Sequence, residues 1–148
     1  MMGDIYHSKD KMAEAYAAYD SALVYNPSNI GALNNYAYYL SVERRELDKA
    51  EEMSFKTVKA EPKNSTYLDT YAWILFEKGN YAEARIYIDE ALKNGGEQSD
   101  VIVEHSGDIY YMTGDVENAL KFWKKALEMG SKSATIKKKI EQKKYITE

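Results

Sequence analysis

Hydrophobic and small residues recur along the chain at the spacing of amphipathic helices arranged in pairs. The clearest pair lies in residues 65–92. Its first stripe, at i, i+3, i+4 and i+7, consists of Leu68, Tyr71, Ala72 and Leu75. Its second stripe, which follows the helix-breaking Gly79-Asn80, consists of Tyr81, Ala84, Ile88 and Ala91. The pattern predicts two antiparallel helices joined by a tight turn.

Pairs of small residues occupy matching positions in four such units. They are Gly3 with Ala15, Ala37 with Ala50, Ala72 with Ala84, and Gly107 with Ala119. The second members are spaced 35, 34 and 35 residues apart. We expect small residues there because antiparallel helices cross closely at these points. A period of this length is typical of stacked helix pairs, so the predicted fold is an all-α solenoid.

This pattern resembles the tetratricopeptide repeat over about residues 1–130. Besides the small residues, the shared features are the turn glycines, the aromatic of the second helix and the closing proline: Gly79, Gly114, Tyr19, Trp123, Pro27 and Pro62. The resemblance implies a right-handed superhelix of antiparallel helix pairs with a C-terminal capping helix. Segments Leu33–Leu40, Tyr67–Phe76 and Val103–Asp115 are also similar to C-terminal repeat blocks of bacterial multi-repeat proteins, which implies a scaffold or assembly factor, for example of the cell envelope.

We predict a single domain over residues 1–148. It comprises a repeat truncated at its start (1–29), three full repeats (30–64, 65–99 and 100–132) and a capping region (133–148) with a helix over about 134–146. Repeat 30–64 has one extra residue around 42–46, and repeat 65–99 has one around 93–99. Because the first repeat lacks its opening turn, we expect a fragment of a longer repeat protein; the alternative is an N-terminal end buried in a homodimer.

Composition and charge argue against a membrane span and against nucleic acid as a partner. No apolar run approaches the roughly 20 residues that span a bilayer, and no signal peptide is recognised at the start of the sequence. The absence of cysteine is neutral between cytoplasm and periplasm, so both compartments stay open. The net charge is −4, with lysines concentrated near the end of the chain. We interpret these lysines as the solvated face of the last helix, with Ile136 and Ile140 inward, and not as a nucleic-acid patch, because no aromatic residue interleaves with them. They are Lys137, Lys138, Lys139, Lys143 and Lys144.

No catalytic, cofactor or metal motif is found, so we predict a protein that is not an enzyme. His105 and Asp108 lie three residues apart beside Glu104, but a metal site needs a further ligand, and a structural or groove role is favoured for the histidine. Gly95-Gly96 lacks the signature of a phosphate loop. Ser106 follows His105 directly, and adjacent helical side chains point about 100° apart, so the two form no nucleophile–base pair.

The stripe of each first helix that faces away from the core is predicted to line a concave groove. The candidate partner-binding residues are Asn34, Tyr38, Asp69, Trp73, Phe76, Glu104, Asp108 and Tyr111. None is basic, so we expect an acidic, aromatic groove that binds a peptide or helix with basic and apolar anchors. The best-known peptide-binding members of the resembled family hold a C-terminal carboxylate with lysine, arginine and asparagine. Here only Asn34 and Asn35 match, and such a ligand is predicted to be repelled.

The predicted function is therefore a non-catalytic scaffold for protein–protein interaction. Two other functions stay open: a recruiting or regulatory module of a larger enzyme, and a self-association module. Within the groove, an alternative for Trp73 and Phe76 is simple packing against the neighbouring first helix.

Overall fold

The computed structural model describes residues 17, 21 and 29–146, and over 29–146 it is built from seven α-helices and one short 3₁₀ helix, with no strand. The helices are α1 (Ile30–Glu43), α2 (Leu47–Ala60), α3 (Ser65–Glu77), α4 (Tyr81–Lys93), α5 (Asp100–Met112), α6 (Val116–Glu128) and α7 (Ile136–Gln142), with the 3₁₀ helix (Gly96–Gln98) before α5. The predicted all-α class is confirmed. The truncated repeat, 1–29, falls almost wholly outside the described residues.

A polar side chain starts each first helix of a pair at the same point in its repeat. Asn29 accepts a hydrogen bond from the amide of Ala32 at the start of α1. Asn64 accepts one from the amide of Tyr67 at the start of α3. Such N-cap bonds satisfy amide groups that have no partner within the helix, so the three first helices begin in register. The third cap, at α5, is the hydroxyl of Ser99.

The small residues lie where the two helices of a pair cross. Ala37, Ala50, Ala72 and Ala84 are completely buried. At Gly107 of α5 even a methyl group would not fit, because an added Cβ would lie 2.4 Å from Cδ1 of Trp123. The glycine therefore leaves room for the indole ring of α6, the largest fully buried side chain among the described residues.

The helices form two layers. The first helices α1, α3 and α5 contact one another along the stack, whereas no comparable contact joins α2, α4 and α6 in the described part of the chain. The first helices therefore lie on the inner, concave side of the curve. Helix α7 packs on α6, in the place that the next first helix would take.

Both predicted extra residues fall in the connections between helices. Between α1 and α2, Arg44 and Glu46 take left-handed backbone conformations with φ of 54° and 44°. After α4, the chain passes through Gly95, with φ of 100°, into the 3₁₀ helix. The capping helix is shorter than predicted: it ends at Gln142 because Lys143 turns into the left-handed region.

Candidate functional site: the inner face of the first helices

The eight candidate groove residues all lie on α1, α3 and α5, but the structure divides them into two groups. Tyr38, Trp73 and Tyr111 are partly exposed. The other five are buried: Asn34, Asp69, Phe76, Glu104 and Asp108. The accessible part of the inner face is therefore aromatic, with the carboxylates beneath it.

Asp69 of α3 joins its helix to α5 through His105. Oδ1 of Asp69 lies 2.8 Å from Nδ1 of the histidine ring. Burial disfavours the charged ring, but the charge and hydrogen bond of Asp69, with Asp108 and Glu104 nearby, raise the pKa of His105 above its ordinary value. This carboxylate is thus engaged between two repeats.

Glu104 and Asp108 of α5 bind the ammonium group of Lys139 on α7. Nζ lies 2.7 Å from Oε2 of Glu104 and 2.9 Å from Oδ1 of Asp108. Burial opposes the charge on Lys139, but the two carboxylates raise the pKa of the lysine. Asp108 also accepts a hydrogen bond of 3.0 Å from Nε1 of Trp123. Burial raises the pKa of Asp108 to about 6, although Lys139 acts in the opposite direction.

The buried ion pairs change two expectations drawn from the sequence. Lys139 does not lie on the solvated face of the last helix, because α7 takes the place of a first helix and turns this residue toward α5; its side chain is 3% exposed. The carboxylates of Asp69, Glu104 and Asp108 do not stand open in the groove. The contact between successive first helices covers the part of the stripe that holds them.

Asn34 of α1 occupies the position that Asp69 and Glu104 occupy one and two repeats later. It is 6% exposed, and its Oδ1 atom accepts no hydrogen bond from the described residues. Thr70 stands on α3 where His105 stands on α5, but its hydroxyl donates to the carbonyl of Thr66 instead. The polar contact between first helices is therefore absent between α1 and α3 at this position.

A row of aromatic rings runs along the inner face from α5 across α3. Trp73 stacks on His105 with ring centroids 4.0 Å apart, and on Phe76 with centroids 4.5 Å apart. Phe76 in turn meets the rings of Tyr81 and Tyr145 edge to face. Trp73 thus packs against the neighbouring first helix, as one alternative held, and still keeps a partly exposed surface.

Sequence analysis did not select Tyr145, which closes a pocket at one end of this row. The pocket has a volume of about 180 Å³ and is lined by Arg44, Phe76, Glu77, Tyr81, Met112 and Tyr145. Nε of Arg44 lies 2.6 Å from Oε2 of Glu77 at its wall. The sequence predicted Tyr145 to lie within a capping helix over about 134–146, whereas the helix ends at Gln142 and the chain beyond it turns toward α3.

Residues 29–146 show neither a metal-binding cluster nor a membrane-spanning helix. No group of three or more histidine, aspartate or glutamate side chains is placed there to hold a metal ion. None of the described helices has the length and apolar character needed to span a membrane.

Several solved structures have a fold similar to that of this chain. The chain is similar to the first tetratricopeptide repeat domain of Spaghetti (RPAP3) bound to the HSP90 peptide SRMEEVD, with a TM-score of 0.69, 16% identity, and coverage of 77% of this chain and 89% of that one. It is similar to MamA, with a TM-score of 0.74, 16% identity, and coverage of 97% and 82%. It is also similar to pilF of Pseudomonas aeruginosa, with a TM-score of 0.76, 20% identity, and coverage of 96% and 63%.

Sequence comparison agrees with the fold. The family model described as "Tetratricopeptide repeat" matches residues 1–29 and 66–94. No curated protein matches the chain significantly in sequence. Repeats of this family are typically non-catalytic modules for protein–protein interaction. The family match over two of the predicted repeats and the similar solved structures together support a tetratricopeptide repeat protein.

Proposed function

We propose that this protein is a non-catalytic scaffold that binds a peptide or helical segment of a partner protein on the inner face of its first helices. The observation that carries the proposal is the partial exposure of Tyr38, Trp73 and Tyr111 on three successive first helices. Aromatic side chains in a concave surface supply much of the binding energy of protein interfaces because they bury a large area with little loss of conformational freedom.

The charges beneath this surface favour a basic residue in the ligand. Asp69, Glu104 and Asp108 supply three carboxylates, and among the described residues two side chains that can carry a positive charge, His105 and Lys139, face them. The cluster therefore retains a carboxylate in excess when all its members are charged. An arginine or lysine at the rim would be attracted to it, and would also stack on an exposed ring.

The same charges disfavour a ligand with an acidic end. The RPAP3 domain is bound to a peptide, SRMEEVD, whose last residues are mainly acidic. None of the eight inner-face residues proposed here is a lysine or arginine. We therefore propose apolar anchors with a basic flank as the ligand's chemistry.

A pull-down from cell lysate tests the proposal with the wild-type chain and a Tyr38→Ala/Trp73→Ala double variant of equal helical content. The matched control is Phe55→Ala/Ile86→Ala, since these two side chains are exposed on the second helices α2 and α4. We expect a partner that the wild type and the control capture and the double variant loses. Equal capture by all three chains would place binding elsewhere on the protein and contradict the proposal.

A further inference from the structure

The chain turns back toward the inner face after the capping helix. Lys143 adopts φ of 55°, and the amide of Lys144 donates to the carbonyl of Lys139, which closes the turn. Residues 143–146, here called the C-terminal strap, then bring Tyr145 to Phe76 of α3, with ring centroids 5.3 Å apart. The strap thus reaches past the last repeat to the first helix of the repeat before it.

We propose that the position of the Tyr145 ring, at the wall of this pocket and against Phe76 and Lys139, is the aromatic subsite of the partner-binding surface, and that the chain's own Tyr145 fills this position until an aromatic side chain of the partner replaces it. This inference rests on the proposed function. It adds the class of side chain that the partner inserts and the element that the partner displaces.

The lining of the pocket suits an aromatic ring. Phe76 presents its ring to Tyr145 at an interplanar angle of 82°, an edge-to-face arrangement that aromatic pairs favour. Met112 contributes a polarizable thioether, and such groups adapt to rings of different shape. The ammonium group of Lys139 lies 5.3 Å from the centroid of the Tyr145 ring, within the range of a cation–π contact.

The strap and the capping helix differ in how firmly they are held. Ile136 of α7 is 2% exposed within the core, and Lys139 makes two buried ion pairs. Tyr145 lies outside any helix and is only partly buried. A competing side chain can therefore displace Tyr145 while α7 stays in place, and Lys139 remains available to stack on the incoming ring.

Covalent attachment gives Tyr145 an advantage over a free ligand. A short flexible tether holds a group at an effective concentration on the order of millimolar. Removing the Tyr145 ring abolishes this competition. We therefore expect a free aromatic peptide to half-saturate the opened pocket at a concentration at least about tenfold lower than in the wild type.

NMR titration of the full chain measures this difference. The probe is the eight-residue peptide EQKKYITE, identical to residues 141–148; the control peptide carries alanine in place of its tyrosine. The signals are the Met112 methyl group and the Trp73 indole N–H, which lie in and beside the pocket. The chains are the wild type, Tyr145→Ala, Tyr145→Ser as a second opened variant, and Tyr145→Phe, which keeps the ring.

The inference predicts tighter binding of the tyrosine peptide by both opened variants, behaviour of Tyr145→Phe like the wild type, and no saturable shift with the alanine peptide. Equal half-saturation in wild type and opened variants overturns it, as does the absence of a shift in both folded opened variants. If the titration overturns the inference, loss of partner capture by Tyr38→Ala/Trp73→Ala in the pull-down would show that the groove function stands and that only the subsite fails. Unchanged capture would show that the function itself fails.

Discussion

Nζ of Lys139 lies 2.7 Å from Oε2 of Glu104, 35 residues earlier. The same kind of contact occurs one repeat before it, where His105 reaches back 36 residues to Asp69. Each contact joins an acidic residue of one first helix to a basic side chain of the next helix in the inner layer. The acidic residues on the inner face thus connect repeats, and the partly exposed aromatic residues form the proposed binding surface.

Replacing Lys139 should destabilise the protein strongly. Lys139→Met removes the ammonium group and leaves Glu104 and Asp108 without their shared cation in a buried site. Breaking a buried ion pair from one side commonly costs several kcal/mol, and we expect a loss of about 3 kcal/mol in the free energy of unfolding. Urea denaturation followed by circular dichroism measures it. Lys138→Met, at an exposed position of the same helix, is the control and should change stability by less than about 0.5 kcal/mol; equal effects of the two substitutions would contradict the role of Lys139.

A methyl group at Gly107 should also be destabilising. Its Cβ would lie 2.4 Å from Cδ1 of Trp123 and 3.1 Å from the carbonyl oxygen of Ala119. Because neither the buried indole nor the backbone can yield freely, Gly107→Ala should lower the free energy of unfolding by about 1–3 kcal/mol.

The control for this substitution is Gly31→Ala in α1, where the nearest atom would lie at 3.7 Å. Alanine has the higher helix propensity, so that variant should be neutral or more stable by up to about 1 kcal/mol. Thermal or urea unfolding of both variants compares them directly. A Gly107→Ala chain as stable as the wild type would show that α5 and α6 do not cross as closely as described.

The protonation of His105 should depend on its contact with Asp69. The pKa of His105 is raised above its ordinary value of 6.5. The contact between protonated His105 and Asp69 therefore stabilises the fold fully below pH 6.5, and this stabilisation is lost as the pH rises through the raised pKa. Titration of the ring signals by NMR, in a His7→Gln background that leaves one histidine, should give a midpoint above 6.5. In Asp69→Asn the midpoint should fall, since the charge that holds the proton is gone; an unchanged midpoint would contradict the ion pair.

The acidic HSP90 peptide offers a test of ligand charge. We expect fluorescence anisotropy with labelled SRMEEVD to show no saturable binding to this chain, because the carboxylates beneath the inner face outnumber their cations. The RPAP3 domain, which binds this peptide, serves as the positive control. Saturable binding at concentrations similar to those of the control would contradict the proposed preference for a basic flank.

The fold was predictable because each helix pair repeats the same short-range constraints. The small residues at the crossings, such as Ala72 and Ala84, and the turn at Gly79 are local signals that any unit carries. The constant spacing between units then predicts that successive helix pairs stack on one another. The length of the capping helix was predicted less well, since nothing in residues 134–146 shows that Lys143 leaves the helix.

The candidate surface was predictable only in part, because periodicity gives the direction of a side chain but not what covers it. Tyr38, Trp73 and Tyr111 follow the inner stripe and keep partly exposed surfaces. Asp69 and Glu104 follow it too, but partners 36 and 35 residues away cover them. Tyr145 falls within the capping helix predicted over about 134–146, so its contact with Phe76 depends on a turn at Lys143 that the sequence pattern does not contain.

Photo-crosslinking tests the central claim, partner binding at the aromatic inner face, most directly. A benzophenone amino acid would replace Tyr111 on α5 in one chain and Phe55 on α2 in another, each incubated with the partner found by pull-down. The account predicts a crosslink from position 111 that is lost when Tyr38→Ala/Trp73→Ala is added, and none from position 55. A crosslink from position 55 alone would place the partner on the outer layer and contradict the account.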